Sequence, residues 1–502
     1  MSSEDPSSRR RLVARGITWN TAYQLFEVGV TFGAMLILVR IIPPVEYGRF
    51  GAVLGFLTLL NSFGFGCFVA HALQLPDGHE PDWSLHWSAG VYIQGLLMLA
   101  CNALAGLCWL LPSYQPIAPL LHLAAFGFFF DWPARLRAVM LRREMDFRRA
   151  KMLSACSMAL QLGITIVGGY LGGGAYAIVL GANVVTPVPL AVDLLLVRRW
   201  RPRADWWRWP DWTAYRPALR FGLQQTGSAL LWSVRGALEV AVLARTVGYT
   251  PIGLWNRAQA LSNGTVGRLG HILVETGYPL LPRYAAEPAV YVRQATLFVQ
   301  VLSLAVLPGV LYIGLEGRAL SRLLYGDRWI AADPLIWPAA LGALGLAMFG
   351  VGSAVLLASS RLRACFTLNV VAAGLSVPMV GVAWVGGGVV AYAWALAASQ
   401  FVAAAIALAS ASTLLARGWV RSALLPPAVS SLVAMGAVLA VTHLGLASSP
   451  WARLCVDTVV YGLSVGLILR GFFPVSLAAV LSRAPGSDRL SGWLRLPVMP
   501  VG

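Results

Sequence analysis

The feature that most constrains this 502-residue chain is a series of fourteen apolar stretches, each about 20 residues or longer. A bilayer core holds no water to hydrogen-bond an exposed backbone, so apolar stretches of this length cross it as α-helices. Hydrophobic residues make up 58% of the chain and charged residues 12%, which excludes an ordinary soluble globular protein. The stretches cover approximately 17–42, 48–72, 87–111, 116–140, 150–171, 174–197, 219–247, 252–278, 292–315, 333–357, 362–385, 388–415, 423–446 and 453–473. The sequence therefore predicts an all-α polytopic membrane protein with about fourteen transmembrane helices; because the last four stretches are less well separated, twelve is the alternative count.

Basic residues are distributed unequally between the two ends of the predicted helices. The N-terminus and the loops and flanks after even-numbered helices hold 28 Arg and Lys residues, whereas the loops and flanks after odd-numbered helices hold eight. By the positive-inside rule, both termini are therefore predicted to lie in the cytoplasm. Residues 1–16 carry four arginines without a following cleavage site, and the first apolar stretch contains Glu27, so we expect no removable signal peptide.

Charge, lysine and cysteine patterns exclude several classes of function. The formal charge of +17 falls in short clusters between apolar stretches rather than on one soluble face, so nucleic acid is not expected as a partner. Lys151 is the single lysine and no phosphate-binding loop precedes it, which argues against an ATPase. The six cysteines lie within apolar stretches and indicate neither a disulfide nor a zinc site. No connecting segment exceeds about 25 residues, so we expect no soluble catalytic domain and no cofactor.

An internal repeat divides the chain into two halves. Several residues recur at an offset of 205 positions: Leu38 and Leu243, Arg40 and Arg245, Gly48 and Gly253, Phe50 and Trp255, and Arg15 and Arg220. Many transporters are built from such repeats, with the substrate path where the halves meet; a chance match in a chain rich in leucine and glycine is the alternative. The predicted divisions are a cytoplasmic N-terminus at 1–16, an N-lobe of six helices at 17–197, a linker at 198–218, a C-lobe of six helices at 219–415, two trailing helices at 423–473 and a cytoplasmic C-terminus at 474–502.

The longest predicted cytoplasmic segment, from Arg198 to Arg220, interleaves seven arginines with five tryptophans. Arginine and tryptophan together are typical of segments at an anionic membrane surface. We therefore predict an interfacial anchor, with direct handling of a phosphorylated lipid as the alternative.

Three of the predicted helices carry narrow polar faces, which we call polar seams. At about 100° per residue, the members of each seam fall within an arc of roughly 60° to 80°. The eighth stretch contributes Arg257, Gly264, Arg268, His271 and Glu275. The seventh contributes Gln224, Ser228, Arg235, Glu239 and Thr246, and the first contributes Asn20, Tyr23, Glu27 and Thr31.

Ionisable groups at membrane depth cost on the order of 3 kcal/mol each, so they face a hydrated cavity or one another. We predict that the seams line a substrate cavity; buried ion pairs between the lobes are the alternative. A guanidinium binds phosphate bidentately and stays charged, so Arg235 and Arg268 suit a pyrophosphate-bearing ligand. The glutamates are open to three roles: neutralising arginine, binding an unidentified coupling ion, or taking up a proton. Asp131 is predicted to form a local salt bridge with Arg135, four residues on.

Several motifs resemble those of the polysaccharide transporter family, the lipid-linked oligosaccharide flippases of the MATE-like multidrug/oligosaccharidyl-lipid/polysaccharide superfamily. The motifs are LVRIIPPVEYGRF at 38–50, RAVMLRREMDFRR at 137–149, GLWNRA at 253–258, YPLLPR at 278–283 and LYGDRW at 324–329. Ile42, Pro43 and Trp255 depart from the family's usual Leu, Gly and Tyr. The resemblance implies two six-helix bundles around a central cavity, two trailing helices, and alternating access that moves an undecaprenyl-pyrophosphate-linked oligosaccharide to the periplasmic leaflet. It implies no catalytic residues.

The sequence thus predicts a bacterial inner-membrane flippase for O-antigen or exopolysaccharide units, a transporter and not an enzyme. Its expected partners are the lipid-linked oligosaccharide, membrane lipids, and a polysaccharide polymerase and glycosyltransferases. One alternative is a MATE-type multidrug exporter, against which the excess of arginine in the seams argues. The alternative of another class is a membrane-embedded polymerase or glycosyltransferase, against which the short loops argue. A scaffolding role in a synthesis complex stays open.

Overall fold

The computed structural model describes residues 6–76, 79–197, 200–444 and 449–481, and within these ranges all regular secondary structure is helical, without a strand. Ten helical stretches there are long and apolar enough to cross a membrane, and the pair Trp212–Gln224 and Ala229–Thr246 together makes an eleventh. One of the ten, Leu362–Leu414, is 53 residues long. It is interrupted at Gly386, whose φ of +93° is not helical, and so contains two of the predicted stretches. The predicted all-α polytopic membrane fold is confirmed.

The chain divides into two compact units, residues 1–253 and 254–502. The helices of the first unit are α1 (Pro6–Ile41), α2 (Pro44–Asn61), α3 (Phe65–Val69), α4 (Trp83–Leu110), α5 (Ala118–Arg143), α6 (Phe147–Tyr170), α7 (Gly174–Val179), α8 (Val188–Leu196) and α9 (Trp212–Thr246). The next helix, α10 (Tyr249–Ser262), begins in the first unit and ends in the second. The seventh predicted stretch therefore belongs to the first compact unit, and the lobe boundaries drawn from the sequence stay predictions.

The second unit continues with α11 (Arg268–Gly277), α12 (Pro288–Tyr325), α13 (Asp333–Ala358), α14 (Leu362–Val382), α15 (Gly388–Ala411), α16 (Trp419–Ala423), α17 (Leu425–His443), α18 (Pro450–Phe472) and α19 (Pro474–Leu481). Glycines bring α13 and α15 close together: a methyl group at Gly345 would lie 2.9 Å from the Gln400 carbonyl carbon. Small residues at a crossing are how membrane helices associate, because lipid offers no hydrophobic drive between them.

Among the described residues of the first unit, two apolar clusters lie in the interior. One surrounds Leu57, Leu121 and Phe128; the other contains Phe65 and Trp132 and includes residues from α3, α4, α5, α8 and α9. The outside of the structure is also apolar, with Leu96 and Leu467 68% and 66% exposed. Apolar side chains on both the inside and the outside are expected where lipid, not water, surrounds the protein.

Candidate functional site

The first unit encloses a cavity of about 760 Å³ between α1, α2, α3, α5, α6 and the segment that joins α7 to α8. Its polar lining is Tyr23, Glu27, Thr31, Asn61, Asp131, Arg135, Arg142, Ser154, Ser157, Gln161, Asn183 and Thr186. A cavity of this size with convergent polar groups is the usual form of a small-molecule binding site.

Asp131 and Arg135 form a charged node in the cavity wall. The Arg135 Nε donates to Asp131 Oδ2 over 2.8 Å, as predicted from their spacing, and Gln94 of α4 donates to the same oxygen. The guanidinium lies against the backbone of α3, because a methyl group at Gly66 would be 2.7 Å from the Arg135 side chain. The chain breaks between α2 and α3, and Gly66 near the start of α3 has no side chain. Together these two features make room for Arg135.

A π-helical turn, Leu180–Val185, brings further polar groups to the cavity. Asn183 lies in this turn, and Gly127 of α5 leaves room for it: a methyl group there would collide with the Asn183 carbonyl oxygen. After the turn, Thr186 donates through Oγ1 to Gln161 Oε1 of α6 over 3.0 Å. Such turns often mark functional sites in helices, since the extra residue redirects the side chains that follow it.

The α1 side of the cavity contains Tyr23 and Glu27. The Lys151 ammonium of α6 lies 4.8 Å from the centre of the Tyr23 ring and within electrostatic reach of Glu27. Acidic and basic groups therefore occur together around this cavity, as Glu27 with Lys151 and Asp131 with Arg135. Asn20 belongs to the same predicted seam, but its side chain lies outside the described part of the chain.

The α9 seam contains an ion pair between residues four positions apart, the spacing at which side chains on one helix face meet. Arg235 Nη2 lies 3.2 Å from Glu239 Oε2, each side chain is 14% exposed, and the guanidinium stands over the Trp232 ring at 5.5 Å. Gln224, three turns earlier, is exposed. Of the predicted site residues in the first unit whose side chains are described, Glu27 alone lines the cavity.

In the second unit, a π-helical turn at Asn263–Gly267 separates α10 from α11. The prediction of one polar face assumed uniform α geometry, and an extra residue in one turn rotates the following residues by about 100°. The assumption is wrong at this turn, so Arg257 does not share a face with the residues of α11. Arg268, His271 and Glu275 keep their common face within α11.

On that face of α11, His271 Nε2 lies 3.1 Å from Glu275 Oε1, and the two side chains are 71% and 66% exposed. Arg257 and Arg268 are each half-buried. The substrate-binding role assigned to all nine predicted residues stays a prediction.

Sequence reasoning missed a buried ion-pair network at the end of α5. Arg137 is 1% exposed and its Nε donates to Asp193 Oδ2 of α8 over 2.7 Å. Arg149 of α6 lies 2.6 Å from the other carboxylate oxygen. The two partners of Asp193 are 44 and 56 residues away in the chain, so helix spacing could not predict them. The presence of Arg137 and Arg149 in one motif, RAVMLRREMDFRR, was the available signal.

Arg143, from the same motif, hydrogen-bonds to the backbone of the segment that follows α3. Its Nη1 donates to the carbonyl oxygens of Ala72 and Leu75, at 2.6 and 3.2 Å, and its Nη2 donates to that of His79. The motif therefore holds α5, α6, α8 and the turn before α4 together, and positions the helices that line the cavity.

Known structures show the same fold. The lipid II flippase MurJ, in an inward closed conformation, superposes with a TM-score of 0.71 at 11% identity, covering 91% of this chain and 99% of that one. An inward-facing multidrug resistance MATE family transporter of the MOP superfamily superposes with a TM-score of 0.52 at 18% identity, covering 76% and 94% of the two chains.

Relatives with curated names are also similar over much of the chain. The lipopolysaccharide biosynthesis protein WzxC of Escherichia coli (strain K12) is 20% identical over 378 residues, which are 74% of this chain and 75% of WzxC. The succinoglycan biosynthesis transport protein ExoT of Rhizobium meliloti (strain 1021) is 23% identical over 337 residues, 66% of each chain. The teichuronic acid biosynthesis protein TuaB of Bacillus subtilis (strain 168) is 20% identical, and the chain spans 63% of its length.

A family model described as polysaccharide biosynthesis protein matches residues 37–334, more than half of the chain. This range includes α2 to α9, the whole ion-pair network and most of the cavity lining. The chain belongs to the polysaccharide biosynthesis protein family.

Proposed function

We propose that this chain is a flippase that moves undecaprenyl-pyrophosphate-linked oligosaccharide units across the bacterial inner membrane, by alternating access, for O-antigen or exopolysaccharide synthesis. The observation that carries the proposal is membership of a polysaccharide biosynthesis family by a multi-span helical bundle. ExoT is named as a transport protein in succinoglycan biosynthesis and MurJ as a lipid II flippase, which supports transport of a lipid-linked sugar.

The physical task is to carry a polar head group through hydrocarbon. Sugar hydroxyls and a pyrophosphate lose their hydrogen bonds to water there, at several kcal/mol for each unpaired group. A protein that moves them has to supply replacement donors and charges inside the bundle. The polar cavity of the first unit and the paired charges of α9 are groups of this kind.

Arginines are proposed to hold the pyrophosphate, since a guanidinium pairs with phosphate through two parallel hydrogen bonds. Arg235 and Arg268 are the first candidates, with Arg257 and His271 as further donors. Asn20 and Gln224 are proposed to contact sugar. Glu27, Glu239 and Glu275 are proposed to balance the arginines, with coupling to a proton or an ion as the alternative.

Transport without covalent chemistry is proposed, so the chain is not an enzyme, and the polymerase and glycosyltransferases of the same synthesis are its proposed partners. The multidrug exporter is the second candidate, because the MATE transporter shares the fold. An exporter of cations needs carboxylates that are available to the cation. Asp131 and Glu239, however, are each paired with an arginine, which favours an anionic head group.

The experiment is a flipping assay with the purified chain in proteoliposomes. Undecaprenyl pyrophosphate carrying a fluorescent oligosaccharide is incorporated in both leaflets, and a membrane-impermeant reductant is added outside. We expect the reductant to reach nearly all of the fluorophore with the protein present and only the outer-leaflet share in protein-free liposomes. Arg363→Gln, a change at an exposed arginine, should flip the lipid as the wild type does. It is the control for variants in which a candidate substrate-binding arginine is replaced.

Two results would contradict the proposal. Equal protection of the inner-leaflet lipid with and without protein means that the chain does not flip this substrate. Proton-driven uptake of a lipophilic cation, without flipping of the lipid-linked sugar, would establish the exporter instead.

A further inference from the structure

The segment 200–211, which we call the linker segment, lies along α4. The ring centres of Trp200 and Trp83 are 6.1 Å apart, and those of Trp209 and Tyr92 are 4.4 Å apart. Trp83 and Tyr92 are separated by nine residues, a rise of about 14 Å along the helix. The linker segment therefore follows α4 for more than two turns instead of leaving it at its first residue.

The length of α4 sets the depth of this contact. A helix of 28 residues is about 42 Å long, about 12 Å longer than the hydrocarbon core it crosses. With the excess divided between its ends, the first turn of α4 lies among lipid head groups and Tyr92 lies about 7 to 8 Å inside the hydrocarbon. The linker segment therefore begins at the interface, where Trp and Tyr are enriched in membrane proteins, and ends within the outer part of the hydrocarbon.

The outer surface of the linker segment presents both aromatic and basic groups. Trp207 and Trp209 are 60% and 67% exposed, and Arg201, Arg203 and Arg208 are exposed as well. Arg208 Nη2 donates to Ser84 Oγ over 3.3 Å, which holds it beside the start of α4. The linker segment thus carries three exposed cations and two exposed indoles, together with one exposed carboxylate, Asp205.

The nearby carboxylate of Asp211 is committed to another role. It caps α9, accepting from the Thr213 hydroxyl and amide and from the Ala214 amide. The hydrogen bond from the Thr213 side chain, followed by that from the Ala214 amide, holds the pKa of Asp211 below its usual range. Arg208 makes a smaller electrostatic contribution to both Asp211 and Asp82. Within 200–211 the three arginines still outnumber the two carboxylates, Asp205 and Asp211, so the linker segment keeps a net positive charge.

Two buried donors lie beneath the linker segment. The indole Nε1 atoms of Trp87 and Trp132 are buried and have no acceptor among the described residues, and these side chains are only 2% and 6% exposed as whole residues. Both rings contact Trp207, with centres 5.3 and 6.4 Å away. A buried donor without an acceptor carries a desolvation penalty.

We propose that the surface where the linker segment runs along α4 is a binding site for the head group of an anionic phospholipid. The phosphate contacts Arg201, Arg203 and Arg208, and the glycerol esters lie against Trp207 and Trp209. Cations near an anionic membrane surface and indoles at the ester level are each favourable for this ligand. The site is separate from the transport activity proposed above and does not depend on it.

The test measures phospholipid binding to the purified full-length chain by native mass spectrometry, with phosphatidylglycerol and phosphatidylcholine as probes. The variant carries Arg201→Gln, Arg203→Gln and Arg208→Gln together. The matched control carries Arg363→Gln, Arg417→Gln and Arg421→Gln, three exposed arginines elsewhere in the chain. All six residues are exposed, so the melting temperatures in detergent should match that of the wild type and show that each variant is folded.

We expect the wild type to prefer phosphatidylglycerol, and the linker variant to bind it at least about tenfold more weakly, because the phosphate loses all three of the cations that contact it in the proposed site. The control variant should keep wild-type binding. The proposal is overturned if the two variants lose phosphatidylglycerol to the same extent, or if the wild type binds both lipids equally.

Discussion

Gly48 and Gly253 face each other where α2 crosses the start of α10, and each makes room for the backbone of the other helix. A methyl group at Gly48 would collide with the Tyr249 carbonyl oxygen, and one at Gly253 would collide with the Pro44 carbonyl oxygen. Gly48 and Gly253 are 205 residues apart, and so are Pro44 and Tyr249. The internal repeat therefore relates each half of this contact to the other half, and one close crossing explains why both copies of the repeat carry glycine here.

Substituting alanine at either position should destabilise the protein, because the atoms in the way belong to backbone and cannot rotate aside. Overpacking of a tight contact costs about 1–3 kcal/mol, so the melting temperature of Gly48→Ala and of Gly253→Ala in detergent should fall. Gly106→Ala is the control: a methyl group there meets no described atom within 4 Å, and alanine favours a helix by about 0.5–1 kcal/mol over glycine. Equal melting temperatures for all three variants would show that the crossing is loose.

Asp193→Asn should be strongly destabilising, because the buried Arg137 guanidinium loses the carboxylate at 2.7 Å and keeps only Glu144, at 4.0 Å, as a counter-charge. Removing one partner of a buried ion pair costs about 3–5 kcal/mol. Arg149→Gln should cost much less, since Arg149 is 43% exposed while Arg137 is 1% exposed. The measurement is the melting temperature of each variant; a loss in Asp193→Asn no larger than that in Arg149→Gln would mean that the network is not a structural element.

These residues also show which parts of the molecule were predictable from the sequence. The i, i+4 pairs Asp131 with Arg135 and Arg235 with Glu239 follow from helix geometry, as do the membrane-spanning stretches from their apolar length. The Asp193 network and the Gly48 crossing join residues far apart in the chain. The π-helical turns at Leu180–Val185 and Asn263–Gly267 have no sequence signal in apolar periodicity, so the cavity wall and the division of the eighth seam could only come from the structure.

The cavity of the first unit should be hydrated, which a pair of cysteine variants on α6 can test. Gln161 lines the cavity, whereas its neighbour Leu160 lies on the exposed apolar surface. In a background lacking the six native cysteines, Gln161→Cys should react with a small water-soluble thiol reagent and Leu160→Cys should not, because only a hydrated thiol ionises. An unreactive Gln161→Cys in a folded, correctly inserted protein would mean that the cavity is dry and takes no polar head group.

Both termini are predicted to be cytoplasmic, from the 28 basic residues on one side against eight on the other. Reporter fusions after residues 80, 145, 205 and 480 should report cytoplasm, and fusions near 172, 249 and 325 should report periplasm. These positions fall in turns or at helix ends, apart from 480, which lies within α19. A periplasmic signal at 205 would place the linker segment on the opposite face and contradict this topology.

The ion pair of Arg235 and Glu239 distinguishes a substrate site from a structural contact. Arg235→Ala should abolish flipping while the protein stays in the membrane, and Arg235→Lys should restore part of the activity where Arg235→Gln does not, because the pyrophosphate needs a fixed cation. Arg268→Ala should behave in the same way. Flipping in the proteoliposome assay and abundance in the membrane are measured for each variant.

The double replacement Arg235→Leu and Glu239→Leu separates the two roles. If the 3.2 Å pair is only structural, apolar residues of similar volume should restore stability and flipping together, since a buried ion pair exchanged for apolar contacts is often neutral or stabilising. If the pair contacts substrate, the double variant should be as abundant as the wild type but should not flip, because the helix is left without an unpaired charge whereas the head group has lost its cation. We expect the second result. Recovery of flipping in the double variant would withdraw Arg235 and Glu239 from the substrate site and leave them as a contact within α9.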